Sequence, residues 1–487
     1  MFICTVKKTL FNILFLAGTM LLWNACKKDD SITSDSDAKL VFSTDTVFFD
    51  TIFTQLSSVT MNFKAYNQND QAVSVSEIRL EGGESSFYRM NVNGTSTRLL
   101  KDEIIAAGDS IFIFVEVTID PNNQDNPLAV EDSISFTVNG NYQTVRLLAF
   151  GQDAVIYYPD TYIEGLPPFS IISDPEIGPV TWTNNKPILI FGYGVVDEGG
   201  SLTIEPGTKV YFHAFAGLWI FEDGQFIANG TPDQQITFQG DRFEEIFQDE
   251  PGQWDRIWIN RSTQDHFISN VVIKNALIGI QAEASPFEED GGTITSNTLH
   301  IDNTTIINCS ARGIFARNYK IEANNVVVGN CGQYLVAISG GGEYRFNNCT
   351  FSNYWNFAVR ETPSFAMINQ YQIFDVIYQS PITNSYVINS IIDGSLTNEF
   401  QLELEGDNEF TSNYTIIKTD QQLPPDFSDI YLNQNPELLD PAKFDYRPSE
   451  NAFVLGKANP ATATLSDITG NPRPANPAVG AYEYQPE

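Results

Sequence analysis

The sequence predicts an all-β chain in which an immunoglobulin-like β-sandwich is followed by a parallel β-helix. Three observations carry this prediction. Short runs of period-two alternation fill residues 39–153. The pattern then changes past a proline-rich stretch. Beyond it, a six-residue motif, Asn-x-x-apolar-x-Asn, recurs along the chain.

The sandwich is read from strands such as Thr46–Phe53, Val59–Tyr66 and Ser110–Val117, separated by turn residues at 67–70 and at Gly82 and Gly83. Asn139-Gly140 between two apolar runs suits the positive φ angles of a type I′ hairpin turn. No catalytic constellation falls in this stretch, so it is expected to act as a spacer. Residues 154–180 contain Pro159, Pro167, Pro168, Pro175 and Pro179 and read as a linker.

The repeat motif occurs at Asn270/Ile273/Asn275, Asn303/Ile306/Asn308, Asn325/Val328/Asn330 and Asn348/Phe351/Asn353, with a degenerate copy at Asn389/Ile392/Gly394. The first asparagines lie 33, 22, 23 and 41 residues apart. A spacing near 22 fits one coil of three short strands, and longer spacings fit coils with inserted loops. An asparagine at each corner can bond to its equivalent in the next coil, with the apolar residue forming an interior ladder. Cys309 and Cys331 each follow a second asparagine and read as packed thiols, as does Cys349. The β-helix is expected over 181–440, with a closing segment at 441–487.

Several segments resemble the right-handed parallel β-helix (pectin-lyase-like) lipoproteins of Bacteroidetes type. Residues 200–212, residues 224–238 and the Pro251–Ile259 turn are similar to their coils. Asp445–Pro448, Asp467–Pro474 and Val479–Tyr484 are similar to their closing segment. The resemblance implies a right-handed solenoid and specifies no activity, because one such scaffold supports many functions.

The N-terminus also resembles a lipoprotein signal. Lys7 and Lys8 precede an apolar run from Leu10 to Leu22, and Trp23-Asn24-Ala25-Cys26 closes it, with Trp23 where an aliphatic residue is usual. Residues 1–25 are therefore expected to be a signal peptide, Cys26 the lipidated residue, and 26–38 a flexible tether. The implied location is the outer membrane, exposed at the cell surface.

Charge and residue types narrow the function. Lys and Arg total 27 against 61 Asp and Glu, a net charge of −34, which disfavours nucleic acid as a partner. An acidic ligand would require a local basic patch or a bridging cation. His213, His266 and His300 lack ligand-like spacing, so no metal centre is expected. Glu288, Glu289 and Asp290 would take calcium, but without the alternating spacing of a tight loop site they read as a solvated insertion. No other cofactor is implied.

If residues 279–283 align with 313–317, one outward row holds Glu283, Arg317, Ser339 and Glu361, with Arg360 and Arg312 beside it. Carboxylates beside arginines on one face are what polysaccharide cleavage on such a scaffold would need. A ladder of mutually stabilising charges explains them as well. Tyr319, Tyr334, Tyr354, Trp355 and Phe357 are candidates for stacking on sugar rings, with burial in the solenoid wall the competing explanation. The expected function is non-catalytic binding of a glycan or a surface protein by the β-helix face. A polysaccharide lyase or glycoside hydrolase is the alternative, and an inert stalk the third reading.

Overall fold

A computed structural model describes residues 31–54, 56–121, 128–285, 293–373 and 375–486. The expected signal segment, Cys26, the first residues of the expected tether and the acidic stretch Glu288–Asp290 lie outside the described residues. Residues 31–38 are not a flexible tether, because the Thr33 N–H bonds to the Ala72 carbonyl and Asn139 and Asn141 donate to the carbonyls of Thr33, Asp35, Ser36 and Ala38. The chain divides into two compact units, at Asp153/Ala154.

The first unit is a sandwich of two five-stranded sheets among the described residues. One sheet runs in space Val41–Phe42, Met61–Tyr66, Ser110–Val117, Tyr88–Val92, Thr95–Thr97; the other runs Thr46–Phe53, Asn141–Gln152, Leu128–Val138, Val73–Leu80, Leu99–Ile105. Pairing is antiparallel except where Asn141–Gln152 meets Thr46–Phe53 in parallel. Alternation sends Ile111, Ile113, Val115 and Val117 inward, and the Phe63 and Phe136 rings meet edge-on at 6.2 Å between the sheets. Asn139 and Gly140 form the two-residue hairpin turn with φ of 47° and 86°.

The second unit is a right-handed parallel β-helix. A representative coil passes through Val271–Lys274, Ala276–Glu283 and Leu299–Asp302, and each strand pairs in parallel with its counterpart in the next coil. In the next coil Arg312–Asn324 supplies the second and third strands as one continuous segment. Parallel in-register stacking aligns Ile273, Ile306, Val328, Phe351 and Ile392 in an interior row, all fully buried. Cys309, Cys331 and Cys349 are free and buried. Burial pushes the Cys349 thiol up to about 12, and the neighbouring Cys331 thiol together with burial raises that of Cys309, so both remain protonated and inert.

Residues 154–180 are not a linker. Val155–Tyr157 pairs with Ile188–Ile190, and Phe169–Ser173 pairs with Tyr193–Val196, so the solenoid begins at 155. The prolines lie in the connections between these strands, where an absent N–H removes no ladder hydrogen bond.

The motif asparagines owe their positions to backbone conformation. Asn270, Asn275, Asn303, Asn308, Asn325, Asn330, Asn348 and Asn389 all have φ between 47° and 63°, a left-handed corner that few residues other than asparagine and glycine tolerate. Direct amide-to-amide bonds occur from Asn308 to Asn275 at 2.8 Å and from Asn325 to Asn303 at 3.0 Å. In the earlier coils Asn270 donates to the Gly230 carbonyl and Asn275 to that of Gln248, and in the later ones Asn330 donates to the Pro441 carbonyl and Asn348 to those of Ala478 and Gly480 in the C-terminal segment.

That segment runs back over the outer side of the corner strands. Val327 packs with Tyr446, Ile468 and Ala481, and Ile391 with Val454, Ala478 and Val479. Arg473 fixes it in place, donating to Glu483 at 2.6 Å, to Asn325 Oδ1 at 2.9 Å and to the Gly480 carbonyl at 2.9 Å.

Two outcomes follow for stability. Asn308→Gly keeps the left-handed corner and loses the bonds to Asn275 and Asp249, costing about 1–2 kcal/mol, whereas Asn308→Ala adds about 1–2 kcal/mol of backbone strain. Denaturant unfolding of the two variants checks this order. His266 is fully buried and accepts the Phe226 N–H, and burial holds its pKa down to about 4 against the ordinary 6.5. The unfolded chain therefore takes up the proton first, and stability that is complete above pH 6.5 falls as pH drops toward 4, by about 3 kcal/mol. His266→Asn, which retains an acceptor, should flatten the stability profile across that window.

Candidate functional site

Inward positions of the β-helix strands are filled by the core, so chemistry can reside only on outward positions. The segments Trp254–Ile259, Ala276–Glu283 and Arg312–Asn324 set three outward columns side by side. The first holds Arg256, Ile278 and Arg312. The second holds Trp219, Trp258, Gln281, Phe315 and Ala337. The third holds Glu283, Arg317, Ser339 and Ile368.

The third column is where the sequence placed its acidic and basic pair, and Glu283 and Arg317 do meet there, one coil apart, in an ion pair. Glu283 also accepts Trp258 Nε1 at 2.6 Å and Gln281 Nε2 at 2.7 Å, and its side chain is only 2% exposed. A carboxylate this enclosed, with both oxygens bonded, is positioned as a brace for its neighbours. Arg317 lies 5.2 Å from the centre of the Tyr371 ring, whose hydroxyl accepts the Asn318 amide at 2.9 Å. Tyr371 belongs to a hairpin, Gln370–Ile373 with Val376–Gln379, where it stacks on Tyr378 at 5.3 Å and walls one side of the face.

Two residues assigned to this row lie elsewhere. Ile368 occupies the position expected for Glu361, because the turn between Asn353 and Phe365 is longer than in preceding coils and delays the strand by seven residues. Glu361 is exposed on that turn. Arg360 is buried inside it, donating to both oxygens of Glu399 at 2.5 and 2.8 Å and to the carbonyls of Asn353 and Thr362. Glu399 in turn accepts the Ser364 N–H and hydroxyl and the Leu396 N–H, so the pair holds the turn shut and is closed to a substrate.

Among the aromatic candidates, Tyr319 faces the core. Asn318 takes φ 52°, the register shifts between Arg317 and Tyr319, and the Tyr319 ring enters the interior, donating to the Asn260 carbonyl at 3.0 Å. It cannot stack on a sugar. Tyr354 is half-buried and donates to Asp393 at 2.7 Å. Tyr334 and Trp355 are half-buried near the coil edge, and Trp355 meets the exposed Phe357 at 5.0 Å.

Arg312, which the sequence set beside the row, and residues that sequence reasoning passed over carry much of the face. Trp258 stacks on Trp219 at 4.6 Å and 11°, and Trp219 Nε1 donates to Asn260 at 2.6 Å. Arg256 pairs with Asp255 at 2.8 Å and also bonds to Gln281. Arg312 differs from both other arginines. Its guanidinium lies 4.8 Å from the Phe315 ring centre and its Nε is buried without an acceptor. No carboxylate pairs with it among the described residues. Burial lowers its pKa, and Arg256 nearby lowers it further. Trp258 was visible in the Pro251–Ile259 motif, but as a mark of architecture alone. Tyr371 had no signal, because its hairpin lies outside the repeat.

Comparison with known proteins agrees on architecture. Residues 176–351 match the family model described as a right handed beta helix region. No protein of curated function matches the sequence. Among solved structures, the complex of XylC with xylose is similar at 8% identity over 93% of this chain and 90% of that chain, with a TM-score of 0.27. The catalytic unit of a thermostable GH87 alpha-1,3-glucanase from Streptomyces thermodiastaticus is similar at 10% identity over 76% and 89%, with a TM-score of 0.14. A family 123 glycoside hydrolase from Clostridium perfringens is similar at 10% identity over 23% of this chain, with a TM-score of 0.17, and this chain spans 26% of that one. Likenesses this weak transfer no activity to this chain.

Proposed function

We propose that this protein is a lipid-anchored protein of the outer-membrane surface whose β-helix face binds an acidic polysaccharide without cleaving it. The observation that carries the reading is Arg312: a half-buried guanidinium stacked on Phe315, with no carboxylate partner among the described residues, on a chain of net charge −34. Leaving a partly desolvated charge unpaired is costly, and a carboxylate or sulfate on a ligand would remove that cost. Trp258 and Phe315 in the adjacent column offer rings for the apolar faces of sugars. The non-catalytic part of the reading is supported by the enclosure of Glu283 and of Arg360, two of the four sequence-derived acids and bases, and by the displacement of Glu361 from the column onto a separate turn. Lipid anchoring and surface exposure are proposed from the signal-like N-terminus and Cys26.

The protein lacking its signal segment, supplied with calcium, is expected to be retained on immobilised polygalacturonate or chondroitin sulfate and to release no new reducing ends or unsaturated products. Retention should weaken with added salt. Arg312→Ala should lower affinity by about 10-fold or more, the loss of one charge-assisted hydrogen bond. Turnover of either polymer would overturn the non-catalytic reading, and unchanged affinity in the variant would remove Arg312 from the site. In cells, Cys26→Ala should move the protein from the detergent-extracted membrane fraction to the soluble fraction.

A further inference from the structure

The outward side of one sandwich sheet carries a feature that a spacer does not need. Within Ser110–Val117, alternation turns Phe112 and Phe114 away from the core, and they remain 40% and 37% exposed. Their rings stack on each other at 5.8 Å with an interplanar angle of 17°, forming one continuous platform. Strand register places polar groups on both sides of it. Asn62 on one neighbouring strand and Asn91 on the other lie directly opposite Phe114, and Lys64 lies opposite Phe112 with its ammonium 4.4 Å from the ring centre.

A cavity of about 460 Å³ adjoins the platform, lined by Phe114 and Asn91 together with Thr60, Ser96, Arg89 and Glu116. That volume lies within the range of small-ligand sites. Arg89 and Glu116 face each other across the strands at 3.8 Å, so the cavity's two charges largely cancel. Asn91 commits its oxygen to the Gly94 N–H, which leaves its amide N–H groups as donors, and the Asn62 side chain makes no hydrogen bond to another described residue.

We propose that this sheet face is a second binding site, specific for a neutral saccharide, with the sugar's apolar face on Phe112 and Phe114 and its hydroxyls bonded to Asn62, Asn91 and the cavity rim. The chemistry matches point for point. The exposed rings suit the C–H face of a pyranose and the amides flanking them suit ring hydroxyls, while the pairing of Arg89 with Glu116 leaves the cavity itself without net charge and the Lys64 ammonium rests on Phe112. A neutral ligand also escapes repulsion by the rest of the acidic chain. Two exposed phenylalanines in a row have no role in solubility, and an apolar patch rimmed by polar groups is the usual mark of a contact surface. This site is independent of the β-helix face, and its ligand is neutral where that face's is acidic.

The test titrates the full chain, less its signal segment, with xylohexaose, cellohexaose, laminarihexaose and maltohexaose by calorimetry. At least one should bind. Phe112→Ala/Phe114→Ala should weaken that binding roughly 10-fold or more, Asn62→Ala should weaken it to a lesser degree, and Arg312→Ala should leave it unchanged. Because both phenylalanines are exposed, the thermal transition of the double variant should match that of the parent. Absence of binding to all four oligosaccharides would overturn the proposal, as would unchanged affinity in the double variant. So would a concentration-dependent dimer that the double variant abolishes and the oligosaccharides do not compete, since the platform would then be an interface between two copies.

Discussion

The β-helix depends on one constraint, which is that every coil must present its strands in register to the next. A parallel strand satisfies its backbone N–H and C=O groups only through its neighbours, so a coil that slipped by one residue would reverse inside and outside along its whole length. The left-handed asparagines enforce the register. The pairs Asn270/Asn275, Asn303/Asn308 and Asn325/Asn330 each bracket a corner strand and fix where the chain bends, the first around Val271–Lys274 and the second around Thr305–Ile307, whereas Asn353 ends its strand without a left-handed φ. With both bends fixed, the residue between them that points inward is determined, and Ile273 falls under Ile306 and Val328.

The same constraint sorts the surfaces. The corner strands lose their outward side to the C-terminal segment, which lays Tyr446, Ile468 and Val479 over Val327 and Ile391. Gly329 is required there, since any side chain at that position would collide with the Tyr446 ring. Among the described residues, no such segment covers Trp258 and Phe315 on the strands from Trp254 to Arg317, both rings stay partly exposed, and these strands collect the arginines. The face proposed to hold a ligand is therefore the outward side that, among the described residues, the C-terminal segment leaves uncovered.

The architecture was legible because its signals are local and periodic. The motif asparagines stand where a left-handed bend must be, Asn139-Gly140 where a two-residue hairpin must be, and the closing segment's Arg473 where it can reach Asn325. The site was only half legible, for a related reason. Counting along the repeat placed Glu283 beside Arg317 correctly because both coils follow the same register there. It failed at Glu361 because the turn after Asn353 is lengthened around a buried Arg360–Glu399 pair that holds it shut and whose two members are 39 residues apart. It failed at Tyr319 because a single left-handed residue, Asn318, changed the side on which the next residue lies. The prolines of 154–180 misled through composition, since a solenoid's short connections are as rich in turn residues as a linker is.

The arrangement of the arginines bears on what the face can hold. Arg256 and Arg312 share a column but are separated by Ile278, two strand spacings apart, which is roughly 9–10 Å. Like charges on adjacent coils would stand at half that distance and destabilise the sheet. Alternation with an apolar residue keeps their repulsion tolerable while leaving Arg312 without a counter-ion among the described residues. On the proposed reading, a polymer lying along the column meets the unpaired Arg312, then the apolar Ile278, then Arg256 already paired with Asp255, with the Trp258 and Phe315 rings beside them. An extended acidic chain can pair with Arg312 and continue over Ile278 and the rings, whereas a compact anion would engage Arg312 and leave the adjoining apolar surface uncovered.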